Sequence, residues 1–585
     1  MADYMDQLFK NVKKKGQPAT PAPPPKKEEK KAPETKSKLE EKLAAITREA
    51  KPAAAAAPAA ITLEDVRKQL SEIKKEGKVA PGPGKELEEK EPEDQKSETE
   101  KELDRSDKKE IDSYGNTKIY RLPNQPLLYY WTPVVRPGSS EKAIINTIKE
   151  VATRIISIAP YKIRDPEQRR NVYYQRILEI IKDSPELNIP KAKFEFYADA
   201  VVREMVGFGI IDSLIKDDQL EEIMVIGPNT PVYVFHRKYE MMITNIEFFT
   251  DGEIQDLINR IARQIGRRVD IASPLLDARL LDGSRVNATM PPATVQGSTL
   301  TIRKFREEPY SIIDLINSGT LDVHAAAFLW TCTEGMGVRP ANILISGGTG
   351  SGKTTLLNVL ASFIPDTDRV ITIEDTAELN LPMRHWIRME ARPPGLEGTG
   401  ELTMDILTKN SLRMRPDRVL VGEVRHDEAF TLFTAFNTGH DGSMGTVHAN
   451  SPQETVIRVT NPPMNVPDVM LSGLNFIVVI HRLHDKKLGT IRRVTEIAEV
   501  TGALKGKPKT DTIFKWDPVP DMLKRTDEPM EYMITLQELS GYTRKQIEDE
   551  IDKRATFLTK LLRENVHEMR SVSRKMKDYL TMQKG

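Results

Sequence analysis

The chain has 585 residues, with 86 Lys plus Arg against 86 Asp plus Glu, so no global charge excess draws it toward nucleic acid. Its one cysteine, Cys332, excludes a disulfide framework or a four-cysteine zinc module and fits a reducing cytoplasm. No run of about 18 uninterrupted apolar residues and no signal peptide occurs, so the expectation is two to four domains that meet a membrane only from the side.

Residues 1–16 have the pattern of a short amphipathic helix, with Tyr4, Met5, Leu8 and Phe9 on one side and Lys10, Lys13, Lys14 and Lys15 following. From Gly16 to Asp112 the chain is rich in Ala, Pro, Lys and Glu and cannot bury enough apolar surface to offset its entropy. Residues 1–112 are therefore read as a disordered tether, with helical islands around Ser37–Arg48 and Ile61–Lys75. Its first helix is either a contact for an anionic membrane or partner, or simply a solvated tail.

Order is expected from Ser113. Strands at Thr117–Arg121 and Leu127–Val135 precede helical patterns near 139–159, 166–183 and 190–211. Strand patterns then fall at Glu222–Val225, Val232–His236 and Met241–Phe249, a helix at Asp251–Ile265, and strands at Ala278–Leu281, Arg285–Met290 and Leu300–Phe305. That mixture predicts an α+β domain over 113–310. From Ser311 helices and strands alternate: helix 321–335, strand 342–346, helix 353–363, strand 369–373, helix 403–413, strand 418–422 and helix 427–438. Alternation of this kind requires crossover helices on a parallel sheet, here assigned to 311–520 with further strands at Met444–His448, Phe476–His481 and Thr490–Val500. The remainder, 521–585, is expected to be a helical appendage with a basic end.

Within this frame the apolar strand Ile343–Ile345 runs into Gly347, Gly348, Thr349, Gly350, Ser351, Gly352, Lys353, Thr354 and Thr355. This is the Walker A phosphate loop in its required strand–loop–helix setting. Glycines let backbone N–H groups converge on phosphate oxygens, Lys353 bridges the outer phosphates, and the Thr354 hydroxyl holds Mg²⁺. A nucleoside triphosphate with Mg²⁺ is the expected ligand. The next strand ends in Glu374-Asp375-Thr376-Ala377-Glu378, which places three carboxylates at the carboxyl edge of a parallel sheet. The strand Val419–Val421 closes on Gly422-Glu423-Val424-Arg425; Glu423 stands where many phosphate-loop enzymes use Asp to support the metal. One acid must help hold Mg²⁺ and another must orient or deprotonate water, although a strand-end carboxylate also commonly caps the next helix. Thr438-Gly439-His440 and Thr446-Val447-His448-Ala449 flank a glycine-rich strand entry; without further ligands at metal spacing they favour phosphate sensing or a subunit contact over zinc.

Taken in order, the loop, the acid box, the Gly-Glu-Val-Arg strand and the Thr-Gly-His…Val-His-Ala segment resemble the motor ATPases of type II secretion, type IV pili and the archaellum. Residues 273–287, 412–417 and 489–496 are most similar to the archaeal branch. The resemblance spans about residues 115–520 and implies a cytoplasmic ring hexamer at the inner face of the cell membrane. Each subunit is then a PAS-like N-terminal domain followed by a RecA-like P-loop ATPase domain, with ATP between them and against the neighbouring subunit. It also implies that Glu378 activates water, with Glu374 as second choice. Glu423 supports Mg²⁺ alongside Thr354, and His448 belongs to the His box. Arg285 and Arg303 reach the phosphates from the N-terminal domain. Arg279, Arg413 and Arg415 are further candidates.

The implied partners are sister subunits, a polytopic membrane platform protein and accessory motor proteins, with only peripheral membrane contact and no specific nucleic acid. The implied work is assembly or secretion of a pilus-like filament, or assembly and rotation of an archaellum. The alternatives are a type IV secretion ATPase moving protein or DNA and a RecA-like nucleic-acid translocase. The sequence departs from the bacterial secretion members in having no cysteine set for their zinc module, and from the shared pattern in its lysine-rich tether.

Overall fold

The computed structural model describes residue 101 and residues 107–584, except 124, 135, 157–162, 164, 307, 393–398, 486–488 and 503–507. The expected helix at 1–16 and the islands at 37–48 and 61–75 lie outside the described residues.

The first described region begins with β1 (Lys109–Tyr114), β2 (Thr117–Arg121) and β3 (Leu128–Trp131), so regular structure starts a few residues before Ser113. Helices α1 (Ser139–Ile155), α2 (Pro166–Lys182), α3 (Phe194–Met205) and α4 (Asp212–Lys216) follow. The single helix expected over 190–211 is divided: α3 ends at Met205, and short 3-10 turns at Lys191–Lys193 and Gly209–Ile211 flank it, the second opening on Gly209 with φ 63°, a state easiest for glycine. Then come β4 (Leu220–Val225), β5 (Thr230–His236), β6 (Glu240–Phe248), α5 (Asp251–Gln264), β7 (Leu275–Arg279), β8 (Arg285–Thr289) and β9 (Thr299–Arg303).

Local rules explain these elements. In β5 Val232, Val234 and His236 alternate inward, the period-2 pattern of a half-buried strand. In α5 Thr250 caps the Glu253 N–H, and Ile254, Leu257, Ile258 and Ile261 bury one face at helical spacing. The nine strands form one sheet in the order β1-β2-β3-β6-β5-β4-β9-β8-β7. All neighbours are antiparallel except β3 and β6. The consecutive set β5-β4-β9-β8-β7, numbered along the chain, has the order 2-1-5-4-3.

The second region holds α6 (Ile312–Asn317), α7 (Val323–Glu334), β10 (Ile343–Ser346), α8 (Lys353–Ala361), β11 (Val370–Glu374), β12 (Trp386–Glu390), α9 (Met404–Ser411), β13 (Arg418–Val424), α10 (Glu428–Asn437), β14 (Met444–Val447) and α11 (Pro452–Thr460). It ends with β15 (Phe476–Asp485), β16 (Gly489–Thr501), β17 (Lys509–Asp517) and β18 (Met522–Arg525), then α12 (Glu531–Ser540), α13 (Arg544–Arg563) and α14 (Met569–Lys584). Its sheet order is β12-β11-β13-β14-β10-β15-β16-β17-β18. Strands β12 to β15 run parallel and β15 to β18 antiparallel. Central strands β10, β11 and β14 are buried along their whole length, as helices on both faces require. Counting the loop strand β10 as first and leaving out edge strand β12, the parallel order is 2-3-4-1-5, a RecA-like α/β core.

Two expectations need amendment. The chain does not turn wholly helical after Asp517, because β18 follows; only Leu523 of its four residues is buried, too weak a pattern to stand out. The C-terminal helices also pack into the main core: Leu558, Met569, Val572 and Met576 share a cluster with Ile343 and Leu356.

Candidate nucleotide site

Strand β10 delivers the glycine loop to the carboxyl edge of the parallel sheet. Gly347 is dictated by packing: a Cβ there would lie 2.3 Å from the Ile480 carbonyl oxygen on β15. Gly350 and Gly352 take φ of 69° and 99°, which turn the loop back onto α8. Ser351 Oγ donates to the Gly348 carbonyl at 2.8 Å, and Lys353 Nζ donates to the same oxygen at 3.1 Å. Burial holds the Lys353 ammonium below its ordinary pKa range, with Glu423 pulling the other way.

Glu374 ends β11 and is only 2% exposed. Its Oε1 accepts the backbone N–H groups of Glu378 and Leu379 at 2.8 and 2.9 Å, while Oε2 is buried without a hydrogen-bond partner among the described residues. Burial pushes its pKa up to about 7 against the pull of those two N–H groups. Neighbouring Gly422 on β13 makes this placement feasible, since a Cβ there would lie 2.9 Å from Glu374 Cγ. Glu423, next along β13, has the opposite electrostatics. Burial works to raise its pKa, but the Arg425 guanidinium at 2.8 Å, Lys353 and His448 together hold it below the usual carboxylate range. Two carboxylates on adjacent strands are thus driven apart in proton affinity.

The opposite wall comes from the first sheet. Arg279 on β7 pairs with Arg285 on β8, and Arg285 pairs with Arg303 on β9. Directly opposed residues share a face, so the register builds a row of three arginines across three strands. A like-charge row is unfavourable by itself, and acids offset it. Arg285 meets both oxygens of Asp277, at 3.2 and 2.8 Å, which raises its pKa further. Arg279 lies 3.6 Å from Glu390 of β12, and Arg303 lies 3.7 Å from Glu378. The last two contacts cross from one sheet to the other.

Between the walls lies a cavity of about 1250 Å³, lined by Arg279, Arg285 and Arg303 on one side and by Thr354, Glu423 and His448 among others on the second. The volume is above the roughly 300–1,000 Å³ of an ordinary small-molecule site. Thr349, Gly350, Gly352, Lys353, Thr355, Glu374 and Glu378 also line it; Gly347, Gly348 and Ser351 form the loop behind. His440, Arg413 and Arg415 are not part of the lining: His440 Nδ1 meets Thr438 Oγ1 at 3.3 Å, and Arg415 sits in a left-handed turn with φ 53°.

Sequence reasoning missed β12 and its Arg388 and Glu390. Trp386-Ile-Arg-Met-Glu390 does alternate, but its residues are only partly buried and its pairing partner β11 lies more than ten residues away. Arg425 was visible in the Gly-Glu-Val-Arg motif, although its pairing with Glu423 was not.

The sequence profile described as type II/IV secretion system protein matches residues 204–510. An uncharacterized protein of Methanocaldococcus jannaschii is 32% identical over 430 residues, 72% of this chain and 75% of its own length. A second uncharacterized protein of that organism is 56% identical over 239 residues, 40% of this chain, and this match spans only 33% of the relative. Among solved structures, the VirB11 ATPase from the Brucella suis type IV secretion system in complex with sulphate is 25% identical, with a TM-score of 0.25, over 49% of this chain and 92% of that one.

Proposed function

As the chain belongs to the type II/IV secretion system family, we propose that it is the ATPase of such a machine and hydrolyses Mg·ATP in the cleft between its two sheets. The single observation that carries this reading is the two-sided cleft: a glycine loop with Lys353 and three acids faces a row of arginines. Cations on both sides favour a triphosphate and the charge that spreads over its transferring phosphoryl group.

In this reading Lys353 and the loop N–H groups hold the β- and γ-phosphates. Arg285 and Arg303 neutralise the developing charge from the opposite wall. Glu378 orients the attacking water and accepts its proton, and Glu374 holds the Glu378 backbone in place. The Thr354 hydroxyl and the ionised Glu423 fit the hard-oxygen preference of Mg²⁺, which would supply charge neutralisation on the phosphates. His448, beside Glu423, completes the phosphate end of the site.

Several further features belong to the same proposal. Residues 113–310 act as the N-terminal domain, 311–520 as the ATPase domain and 521–585 as its helical buttress. Six copies form a ring on the cytoplasmic side of a polytopic membrane platform protein, with accessory motor proteins. Among the described residues no helix is long and apolar enough to cross a membrane. The ring's work is assembly or secretion of a type IV pilus-like filament, or assembly and rotation of an archaellum; a type IV secretion cargo is the alternative.

Phosphate release by the purified chain with Mg·ATP tests the proposal. The expected result is turnover in the wild type and none in Lys353→Ala. An inert wild type, or wild-type turnover in Lys353→Ala, overturns it. Stimulation of turnover by polynucleotide would favour a nucleic-acid translocase instead.

A further inference from the structure

Strand β12 lies at the edge of the second sheet, yet it carries two side chains that bond the backbone of one acid-box residue, Ala377. Arg388 and Glu390 are two residues apart and so share a face of the strand. Arg388 Nη2 donates to the Ala377 carbonyl at 3.0 Å, and Glu390 Oε1 accepts the Ala377 N–H at 3.3 Å. Both polar groups of the residue before Glu378 are therefore clamped. Arg388 is itself steadied by Trp386, whose ring lies 5.1 Å away and whose indole N–H donates to Thr372 on β11 at 2.9 Å.

The other oxygen of Glu390 faces the opposite wall. Oε2 lies 3.6 Å from Arg279 Nη1, the outermost member of the arginine row. One carboxylate thus touches the first sheet with one oxygen and the catalytic loop with the other. Next to it, Arg303 touches Glu378 directly. The acid loop is held from the first sheet at two points, and only when the two walls are close.

We propose that Glu390 is a positioning residue through which closure of the cleft sets the catalytic loop. Arg279 fixes Glu390, and Glu390 with Arg388 fixes the two peptide groups that flank the Ala377 Cα, and hence the aim of Glu378. Opening of the cleft withdraws Arg279 and Arg303 together and leaves Glu378 misaimed, so hydrolysis is confined to the closed cleft. This inference rests on the ATPase reading above.

The test is steady-state ATP hydrolysis by the full chain carrying Glu390→Ala, Glu390→Gln or Arg279→Ala, singly and in combination. Glu390→Ala should lower kcat about 10- to 100-fold with little change in KM, the scale of a misplaced reacting group. In a Glu378→Gln background the same change should have no further effect on the residual rate, because residues acting through one group are not additive. Glu390→Gln keeps the size and the acceptor for Ala377 but loses the ion pair; it should lose kcat less than Glu390→Ala and diminish the effect of Arg279→Ala on kcat. Three results overturn the inference: wild-type kcat in Glu390→Ala, a full multiplicative loss in the Glu378→Gln background, or an undiminished Arg279→Ala effect in Glu390→Gln. The last of these decides even if Glu390→Ala fails to fold. An inert wild type would instead remove the ATPase reading itself, and this inference with it.

Discussion

Arg303, the last residue of β9, lies 3.7 Å from the carboxylate of Glu378, which closes the acid box after β11. An arginine of the first sheet and an acid beside the parallel sheet thus meet in the cavity that the glycine loop also lines. At that distance and exposure the pair contributes little to stability, about 0–1 kcal/mol at most. Its value lies in where it holds the guanidinium.

Replacing Arg303 with Ala should therefore cut turnover far more than it affects folding. A fall in kcat of about 10²-fold or more is expected for loss of one charge-stabilising donor, with the thermal midpoint nearly unchanged. Lysine at the same position should recover only part of the rate, since it lacks the planar fork. Wild-type turnover in Arg303→Ala would place Arg303 outside the reaction.

Lys353→Ala and Glu378→Gln should separate binding from chemistry. The first removes a cation from the phosphates and should abolish both nucleotide affinity and turnover. The second leaves affinity within a few-fold of wild type and lowers kcat by about 10²- to 10⁴-fold, the range of a general base. A fluorescent ATP analogue measures the affinities and phosphate release the rates. Equal loss of affinity in both variants would contradict the assigned roles.

Gly422→Ala probes the packing beneath Glu374. The added methyl would sit 2.9 Å from Glu374 Cγ, so the buried carboxylate must shift or the strands must part. Overpacking of this kind costs about 1–3 kcal/mol. A shifted Glu374 would also release the N–H groups of Glu378 and Leu379, so hydrolysis should fall more than stability. Calorimetry and turnover on one preparation compare the two, and a variant unchanged in both would show that the strand tolerates a side chain there.

Glu499 on β16 predicts a pH dependence of stability away from the nucleotide cleft. Its buried carboxylate accepts the N–H groups of Glu531 and Tyr532 at 2.9 and 2.5 Å, which anchors the start of α12. Burial pushes its pKa up to about 7 from the ordinary 4.5. Between those values the native chain holds a proton that the unfolded chain releases, so this residue's contribution to stability declines as pH rises through the window. Above about 7 the full cost of burying the charge is present. Glu499→Gln should make the decline between pH 4.5 and 7 shallower, leaving the share of Glu374, whose pKa is raised to the same value, as read from thermal midpoints against pH. An identical slope in both proteins would rule the assignment out.

Much of the architecture was legible in the sequence because it is local. The period of Val232, Val234 and His236 marks a strand, and the glycines at 347, 350 and 352 mark a tight loop between a strand and a helix. Glu374, Glu378 and Glu423, which the fold brings to one cavity, were legible as candidates because strands ending in acids are visible as short apolar runs. What escaped was short, half-exposed or paired at a distance: β12, β17, β18, the start of β1 inside the expected tether, and the small helices α4, α6 and α11. Arg388 and Glu390 escaped with their strand. Arg413 and Arg415 were candidates by residue type alone, and the fold places them outside the cleft lining.

By itself the sequence determined the periods of its elements, the glycine loop after β10 and the acids that follow its strands, since each depends on neighbours within a few positions. Only the tertiary structure decided which charges meet. The row Arg279, Arg285 and Arg303 exists because antiparallel hydrogen bonding sets a register between residues up to 18 positions apart, and a one-residue slip would turn a whole strand's side chains to the other face. The contacts of Arg303 with Glu378 and of Arg279 with Glu390 depend further on how two sheets pack, which no local pattern encodes.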